Sequence, residues 1–276
     1  MSKDFLFSID LEDPRENIWN KDRYEDRVNL NVMKLLDWLE NNNSKTTFFV
    51  VGKIAERYPD LVKQIFIKGH EIACHSYSHI PINHLGKKEF ENDLVRNIEA
   101  IINCGVPSPI GFRAPTFSLI ESSFWAYNIL RNNGIKYSSS VLPAKNPLFG
   151  IPNFGQQPKY IDGILEIPVT ISNFLFYKLP IAGGIYLRIL PKHIILAKAR
   201  NFLSTNYPLV SYIHPYDIDV NQNYFMHEHI NNHILNYLMY FNRKNTLLRL
   251  DSFIDLDYNI ITYERFFRDH LSKNIS

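Results

Sequence analysis

Cysteine is scarce in this sequence, with Cys74 and Cys104 the only two among 276 residues. They form neither a CxxC pair nor a dense disulfide pattern, so a disulfide-stabilised secreted scaffold is excluded and a reducing compartment is favoured. We expect both to be small buried hydrophobic residues.

Long apolar runs are also missing. The apolar stretch at residues 5–9 is interrupted by Asp10 and is too short for the hydrophobic region of a secretory signal. No sustained apolar run of the kind found in membrane-spanning proteins follows it. Unless a leader has been trimmed, these patterns predict a cytoplasmic protein.

An excess of either charge is absent as well: 30 basic and 28 acidic residues are scattered along the chain. The sequence therefore has no electrostatic footprint for nucleic acid, whereas a neutral sugar substrate is compatible with it. Hydrophobic residues at 45% and charged residues at 21% are typical of an ordinary folded protein and exclude a disordered chain.

Short β-rich runs alternate with helical patterns in the first half, which predicts an α/β fold whose parallel strands close into a sheet or barrel. The predicted strands are 5–9, 46–51, 71–74, 110–113, 135–138, 165–169, 209–213 and 247–250. The predicted helices are 29–40, 54–68, 87–103, 122–132, 228–241 and 263–271. We interpret 1–276 as one domain, with a loop excursion near 145–164 and a C-terminal helical extension from about 223.

Three carboxylates follow the first predicted strand: Asp10, Glu12 and Asp13. Like charges so close together repel one another, and a bound cation is the usual relief. A helix N-cap with a solvated acidic turn is the alternative, and it is favoured for this cluster taken alone.

Two histidines four residues apart, His75 and His79, follow the predicted strand 71–74. On a helical turn both imidazoles would face the same way and reach one divalent ion, with a carboxylate as the third ligand. Pairs at this spacing also arise by chance, so both interpretations stay open for this pair alone.

Two further polar groups stand at strand ends, where α/β barrels place their chemistry. Arg113 precedes Ala114 and Pro115, and the proline stiffens a loop beside a fixed cation. His214 follows the apolar strand 209–213. Taken singly, a surface salt bridge and a structural histidine explain them.

The order of these clusters resembles the polysaccharide deacetylases of carbohydrate esterase family 4, the NodB-homology family. That family has an acidic motif after the first strand, then a His-Ser/Thr-x-x-His motif, an Arg-x-Pro motif and a late strand ending in histidine. The corresponding positions here are 10–13, 75–79, 113–117 and 214, and the flanks 46–52 and 69–72 are similar too. The resemblance runs from about residue 5 to 219, and segments 165–169 and 183–191 look like the branch associated with exopolysaccharide and surface-glycan loci.

The resemblance implies a distorted (β/α) barrel that removes N-acetyl groups from amino sugars of a bacterial polysaccharide or glycolipid precursor. It implies a divalent metal, zinc first with cobalt, nickel or manganese as alternatives, held by His75, His79 and one carboxylate, Glu12 or Asp13. Such a site keeps open positions, as a catalytic metal requires.

The same resemblance implies roles for the remaining motif residues. Asp10 is the expected base, His214 the expected acid that protonates the departing amine, and Arg113 the group that orients Asp10. A backbone N–H near Thr116 or Phe117 would stabilise the oxyanion. The predicted substrate-binding residues are Pro115, Thr116, Phe117 and Tyr186.

Two departures from the family pattern affect these expectations. The acidic motif reads Asp-Leu-Glu-Asp where many members have adjacent aspartates, which leaves the metal carboxylate open between Glu12 and Asp13. Ser138 stands where relatives carry an aspartate, so the acid histidine needs another partner. Asp217 or Asp219 is the expected substitute.

Two rival functions remain open. One is a related amide hydrolase on the same metal site, such as a deformylase of a lipid-linked sugar or an allantoinase-like enzyme. The other is a carbohydrate-binding homologue that has lost catalysis, which Ser138 alone motivates.

The segment 171–197 mixes apolar and aromatic residues with Lys178, Arg188, Lys192 and His193. This mixture suits peripheral contact with a membrane and is too charged to span one. A core segment with a helix after Pro191 is the alternative, and it is favoured.

Overall fold

The main sheet of the protein consists largely of parallel strands. Its structure, a computed structural model, describes residues 3–16, 18, 20–145, 149–174, 177–227, 230 and 232–275. The strands are β1 (Lys3–Leu11), β2 (Thr47–Val50), β3 (Glu71–Cys74), β4 (Gly111–Phe112), β5 (Tyr137–Ser138), β6 (Lys159–Ile161), β7 (Ile164–Glu166), β8 (Ile171–Phe174), β9 (Tyr177–Pro180), β10 (Leu209–Ile213) and β11 (Tyr258–Ile260). The helices are α1 (Val28–Asn41), α2 (Gly52–Arg57), α3 (Pro59–Ile67), α4 (Lys87–Asn103), α5 (Trp125–Asn132), α6 (Gly184–Ile189), α7 (Lys192–Phe202), α8 (His233–Tyr240), α9 (Thr246–Ile254) and α10 (Tyr263–Ile275).

Nine strands form one sheet in the order β10-β1-β2-β3-β4-β5-β7-β6, with β11 also paired to β1. All its pairings are parallel except β6 with β7. The chain just after β7 returns to β10, where Thr170 N–H donates to the Val210 carbonyl at 3.3 Å and Thr170 Oγ1 accepts from Val210 N–H at 2.8 Å. The sheet thus curls on itself, and the predicted distorted (β/α) barrel is confirmed.

Strict alternation along β1 decides which side chains reach the barrel interior. Phe5 and Phe7 point outward and pack in the large core shared with the helices, whereas Leu6 belongs to a smaller cluster inside the barrel. Asp10 lies on the same face as Leu6, two pleats further along. The strand therefore carries Asp10 to the carboxyl end of the barrel.

Helix α10 closes the opposite end of the barrel. Tyr263 and Phe267 join the inner cluster, and Tyr263 N–H donates to Thr47 Oγ1 at the start of β2. Glu264 N–H donates to the buried carboxylate of Glu71 at the start of β3, at 2.8 Å. The last predicted helix thus packs against the amino-terminal ends of the barrel strands.

Several predicted elements differ from the structure. The predicted helix 54–68 is two helices, because Pro59 starts a new one at its first position, where a missing N–H costs nothing. The predicted strand 247–250 is wrong: it lies in α9, whose buried Thr246, Leu250 and Phe253 recur at helical spacing.

The predictions for two irregular regions also differ from the structure. Within the excursion 145–164, residues 146–148 lie outside the described residues, and 159–161 form β6. The predicted helix 228–241 begins on residues that are not described, and its observed start is His233, capped by Asn232. The extension from about 223 is not only helical, since it adds β11 to the sheet.

Three expectations about surface and core can be compared with the structure. Cys74 and Cys104 are buried and free, as predicted. No helix in the described part of the chain combines the length and apolarity needed to cross a bilayer. Arg188 is fully buried and a helix follows Pro191, which agrees with the favoured interpretation of this segment as part of the core.

Candidate active site

Glu12, His75 and His79 converge at the carboxyl end of the barrel. Each offers one ligand atom, and the three atoms lie within 4.8 Å of one another. Glu12 Oε2 is 2.7 Å from His79 Nε2. Two imidazole nitrogens and one carboxylate oxygen are a donor set that zinc and similar divalent ions accept, and they leave coordination positions open.

The loop that carries the histidines is not the helical turn that their spacing suggested. Ser76 and His79 both adopt left-handed backbone conformations, with φ of 58° and 56°. The loop is held by Asp93 of α4, whose carboxylate accepts the N–H groups of Tyr77 and Ser78 at 2.8 and 3.0 Å. Backbone strain supported from outside in this way is common at functional sites.

His75 is oriented as a metal-ligating histidine should be. Its Nδ1 lies 2.9 Å from the Arg113 carbonyl oxygen, which can only accept, so Nδ1 carries the proton. Burial lowers the pKa of His75 to about 4, which keeps the ring neutral. Its Nε2 lone pair therefore faces the cavity, 4.0 Å from Asp10 Oδ2.

Asp13, the other predicted carboxylate ligand, lies apart from the two histidines. Its Oδ2 is paired with Arg15 Nη2 at 2.6 Å and with Arg57 Nη1 at 2.9 Å. Both of its oxygens are engaged, since Oδ1 accepts from the backbone N–H and Nε of Arg15. The geometry therefore brings Glu12, and not Asp13, to the donor group.

Arg113 holds Asp10 with a guanidinium that is completely buried. Its Nη1 donates to Asp10 Oδ1 at 2.6 Å. The other acceptors are the Ser8 hydroxyl, the Ser139 carbonyl, the Ser139 hydroxyl and the Tyr263 hydroxyl. Five acceptors match the five N–H groups of arginine, so this cation is fixed rigidly behind Asp10.

His214 faces Glu12 and Asp217. Its Nδ1 lies 2.9 Å from Asp217 Oδ2, and its Nε2 lies 3.4 Å from Glu12 Oε1. Burial would lower the pKa of His214, but the charges of Glu12 and Asp217 outweigh it and raise the pKa to about 9. The protonated imidazolium is thereby favoured near neutral pH.

Asp217 is itself anchored by Arg188, a fully buried cation. Arg188 Nη2 lies 2.9 Å from Asp217 Oδ1, and Nη1 donates to the carbonyls of Leu238 and Phe241. Asp219 instead accepts from Arg27 and Asn31 at 2.6 and 2.8 Å. Of the two expected partners for His214, the structure places Asp217 in contact.

The loop after Arg113 turns sharply at two non-glycine residues. Thr116 and Phe117 have φ of 54° and 55°, in the left-handed region. The N–H of Phe117 donates to the Ala114 carbonyl at 3.1 Å, so Thr116 N–H is the better candidate donor to an oxyanion. Pro115 is buried beneath this turn and does not line the cavity.

A cavity of about 260 Å³ joins these groups. Most of the predicted site residues line it: Asp10, Glu12, His75, His79, Thr116, Phe117, Tyr186 and His214. Other lining residues were not predicted: Leu142, Val169, Pro180, Tyr212 and Tyr216. Arg113 and Asp13 do not line it.

Tyr212 was not among the predicted site residues, although the sequence could have revealed it. It lies two residues before His214 on β10 and so shares its face of the strand. Its ring also explains Gly183, where an added Cβ would come within 2.5 Å of the tyrosine ring. Tyr263 and Arg188, by contrast, reach the site from distant segments and have no local signature.

Comparisons with known proteins identify families and folds to which the chain is similar. Residues 23–138 match the family model described as polysaccharide deacetylase, and residues 139–267 match one described as a domain of unknown function, DUF3473. The chain is 34% identical over 94 residues to a peptidoglycan-N-acetylglucosamine deacetylase of Bacillus cereus, covering 34% of each protein. It is 31% identical over 105 residues to chitin deacetylase 1 of Cryptococcus neoformans var. grubii, covering 38% of this chain and 22% of that protein.

The chain thus matches about a third or less of the length of these two relatives. Among solved structures, a Mycobacterium smegmatis protein grouped with the polysaccharide deacetylases aligns with a TM-score of 0.69 and 18% identity, over 99% of this chain and 92% of that one. A family 4 carbohydrate esterase of Streptomyces lividans aligns with a TM-score of 0.50 and 14% identity, over 94% and 91%. Residues 23–138 are therefore similar to the polysaccharide deacetylase family, and the fold of the whole chain is similar to that of a family 4 carbohydrate esterase.

Proposed function

We propose that the protein hydrolyses the N-acetyl group of amino sugars in a bacterial polysaccharide or its glycolipid precursor. It would use a divalent metal ion, with zinc as the first choice. One observation carries the proposal: a single cavity collects a carboxylate, a Glu-His-His donor set and a histidine paired with a second carboxylate. Metal-assisted hydrolysis of an amide can use the three as base, metal ligands and acid. The names of the relatives, which are deacetylases of peptidoglycan and chitin, support the choice of substrate.

His75, His79 and Glu12 would hold the metal. When bound, such an ion polarises the acetamide carbonyl and lowers the pKa of water. The donor set fits because His75 is held neutral with its free nitrogen toward the cavity and Glu12 already contacts His79. Cobalt, nickel and manganese accept the same ligands.

The protein's own groups then divide the proton transfers. Asp10, with one oxygen held by Arg113, presents its other oxygen to accept a proton from the attacking water. Thr116 N–H stands where it can stabilise the oxyanion on the former acetyl carbon. His214, oriented by Asp217, protonates the departing amine, and the products are acetate and the free amino sugar.

The purified protein should release acetate from N-acetylated sugars when supplied with zinc. The assay would compare chitin oligomers, peptidoglycan fragments, an N-formylated amino sugar and allantoin, with acetate and formate measured separately. Acetate with a matching free amine supports the proposal. Formate alone, or opening of allantoin, would assign a related amide hydrolase, and sugar binding without turnover of any substrate would assign a binding protein.

Replacing Glu12 by glutamine should weaken metal binding at least tenfold, because the change removes the charged ligand while keeping its shape; even second-shell changes cost about 10- to 100-fold. Asp13→Asn is the matched control, since Asp13 pairs with Arg15 and Arg57 instead. That variant should keep the ion and lose thermal stability. Metal content after equilibrium dialysis checks both, and loss of the ion from Asp13→Asn but not from Glu12→Gln would reverse the assignment.

A further inference from the structure

Helix α8 buries a polar residue and exposes apolar ones. Its buried residue is Asn236, which accepts the His227 N–H at 3.0 Å and donates to the Phe225 carbonyl at 2.9 Å. Ile234 is 73% exposed and Tyr237 57% exposed. A helix on a globular protein normally turns its apolar side chains to the core, so this face is left open for something outside the described chain.

The open side chains form one stripe, which we call the α8 face. Ile234, Tyr237, the half-buried Leu238 and Phe241 at the C-cap follow the i, i+3, i+4, i+7 spacing of a single helix face, and Leu235 flanks them at 54% exposure. The rings of Tyr237 and Phe241 lie 6.2 Å apart. Five apolar side chains gathered in this way make a patch and are not scattered surface residues.

The charged residues in and just after α8 are basic. From the start of the helix to residue 250 the sequence contains Arg243, Lys244 and Arg249 and no aspartate or glutamate. Lys244 is exposed just beyond the helix. Exposed Lys192 and His193 follow Leu190, whose carbonyl accepts a hydrogen bond from Arg249 at 2.6 Å.

An apolar and aromatic stripe bordered by cations matches the interface of an anionic membrane. A second copy of the chain fits less well, because the same face of a second copy has no acidic residue between 233 and 250 to meet these cations. We propose that the α8 face docks the protein on the surface of an anionic lipid bilayer. This moves the membrane contact from the predicted segment 171–197, where Arg188 is buried, to α8.

Aromatic contacts connect the catalytic cavity to the inner side of α8. Tyr216 lines the cavity, and its ring lies 6.1 Å from that of His227. The ring of His227 in turn lies 5.7 Å from that of Tyr240, which is one turn after the buried Asn236. Docking would therefore put α8 between the bilayer and the active site, and it does not depend on the proposed function.

Flotation of the full chain with vesicles tests the proposal. Wild type should float with vesicles of equal parts phosphatidylglycerol and phosphatidylcholine, and much less with phosphatidylcholine alone. Ile234→Ser combined with Tyr237→Ser should weaken binding at least tenfold, since both side chains would lose burial in the interface. Lys244→Gln should weaken it by about fivefold on the anionic vesicles only.

Ile67→Ser is the matched control, because Ile67 is 71% exposed on α3, away from α8. It should bind like wild type, and thermal unfolding midpoints should show that every variant is folded. Equal flotation of wild type and the α8 double variant would overturn the proposal. So would a wild-type dimer that the double variant converts to a monomer, since a second copy would then cover the face. Asp10→Asn should still float, which separates docking from catalysis.

Discussion

The Asp10→Asn variant is expected to lose acetate release by about 10² to 10⁴ while keeping its metal. Asparagine has the shape of aspartate and can still accept a hydrogen bond from Arg113 through its oxygen. It cannot take a proton from the attacking water. Initial rates of acetate release with zinc supplied, together with metal content of the same sample, check the prediction.

Asp4→Asn is the matched control, because Asp4 lies on the same strand at the opposite end of the barrel. It should leave the rate unchanged. Near-normal turnover by Asp10→Asn would remove Asp10 from the base role. Loss of the metal together with activity would instead make Asp10 a metal ligand. The metal content should therefore be measured, because Asp10 Oδ2 lies only 4.0 Å from His75 Nε2.

The position of Asp10 followed from the sequence because strand alternation and the strand-end rule of α/β barrels are local. The same reasoning placed Arg113 and His214 near it. The five acceptors around Arg113 did not follow, because Tyr263 is 150 residues away along the chain and only the packing of α10 brings it there. Tertiary contacts of this kind leave no spacing to detect.

The sequence alone did not identify the carboxylate that would bind the metal, and the reason is physical. Glu12 and Asp13 are adjacent and lie beyond the predicted strand 5–9, so alternation along that strand did not choose between them. The choice depends on Arg15 and Arg57, which occupy both oxygens of Asp13 and hold it away from the histidines. The histidine loop was misjudged for a related reason, since spacing alone does not reveal two left-handed residues held by Asp93.

His214→Ala should lower the rate on an N-acetyl amide by about 10² to 10⁴ and have a much smaller effect on an activated acetate ester. An amine leaves poorly unless it is protonated, whereas the leaving group of an activated ester needs no proton. Rates on the two substrates with the same protein preparation give the comparison. Equal losses on both would show that His214 shapes the pocket or binds substrate.

Asp217→Asn should shift the alkaline limb of the pH profile for kcat/KM to lower pH. The limb reports loss of the proton from His214, whose pKa the carboxylate of Asp217, 2.9 Å from its Nδ1, raises against the effect of burial. Removing the Asp217 charge takes away part of that increase, so the imidazolium loses its proton at lower pH. A buried Arg188 without its anion also costs stability, so the profile must be measured below the unfolding temperature of the variant.

Asp219→Asn is the matched control for this experiment. Its carboxylate pairs with Arg27 and Asn31 and does not contact His214, so the variant should keep the wild-type alkaline limb even if stability falls. A downward shift in Asp219→Asn but not in Asp217→Asn would mean that the histidine is tuned through another route. A shift confined to Asp217→Asn would show that, in this protein, an aspartate three residues beyond the acid takes the place of the aspartate expected at Ser138, and that the buried Arg188 holds it there.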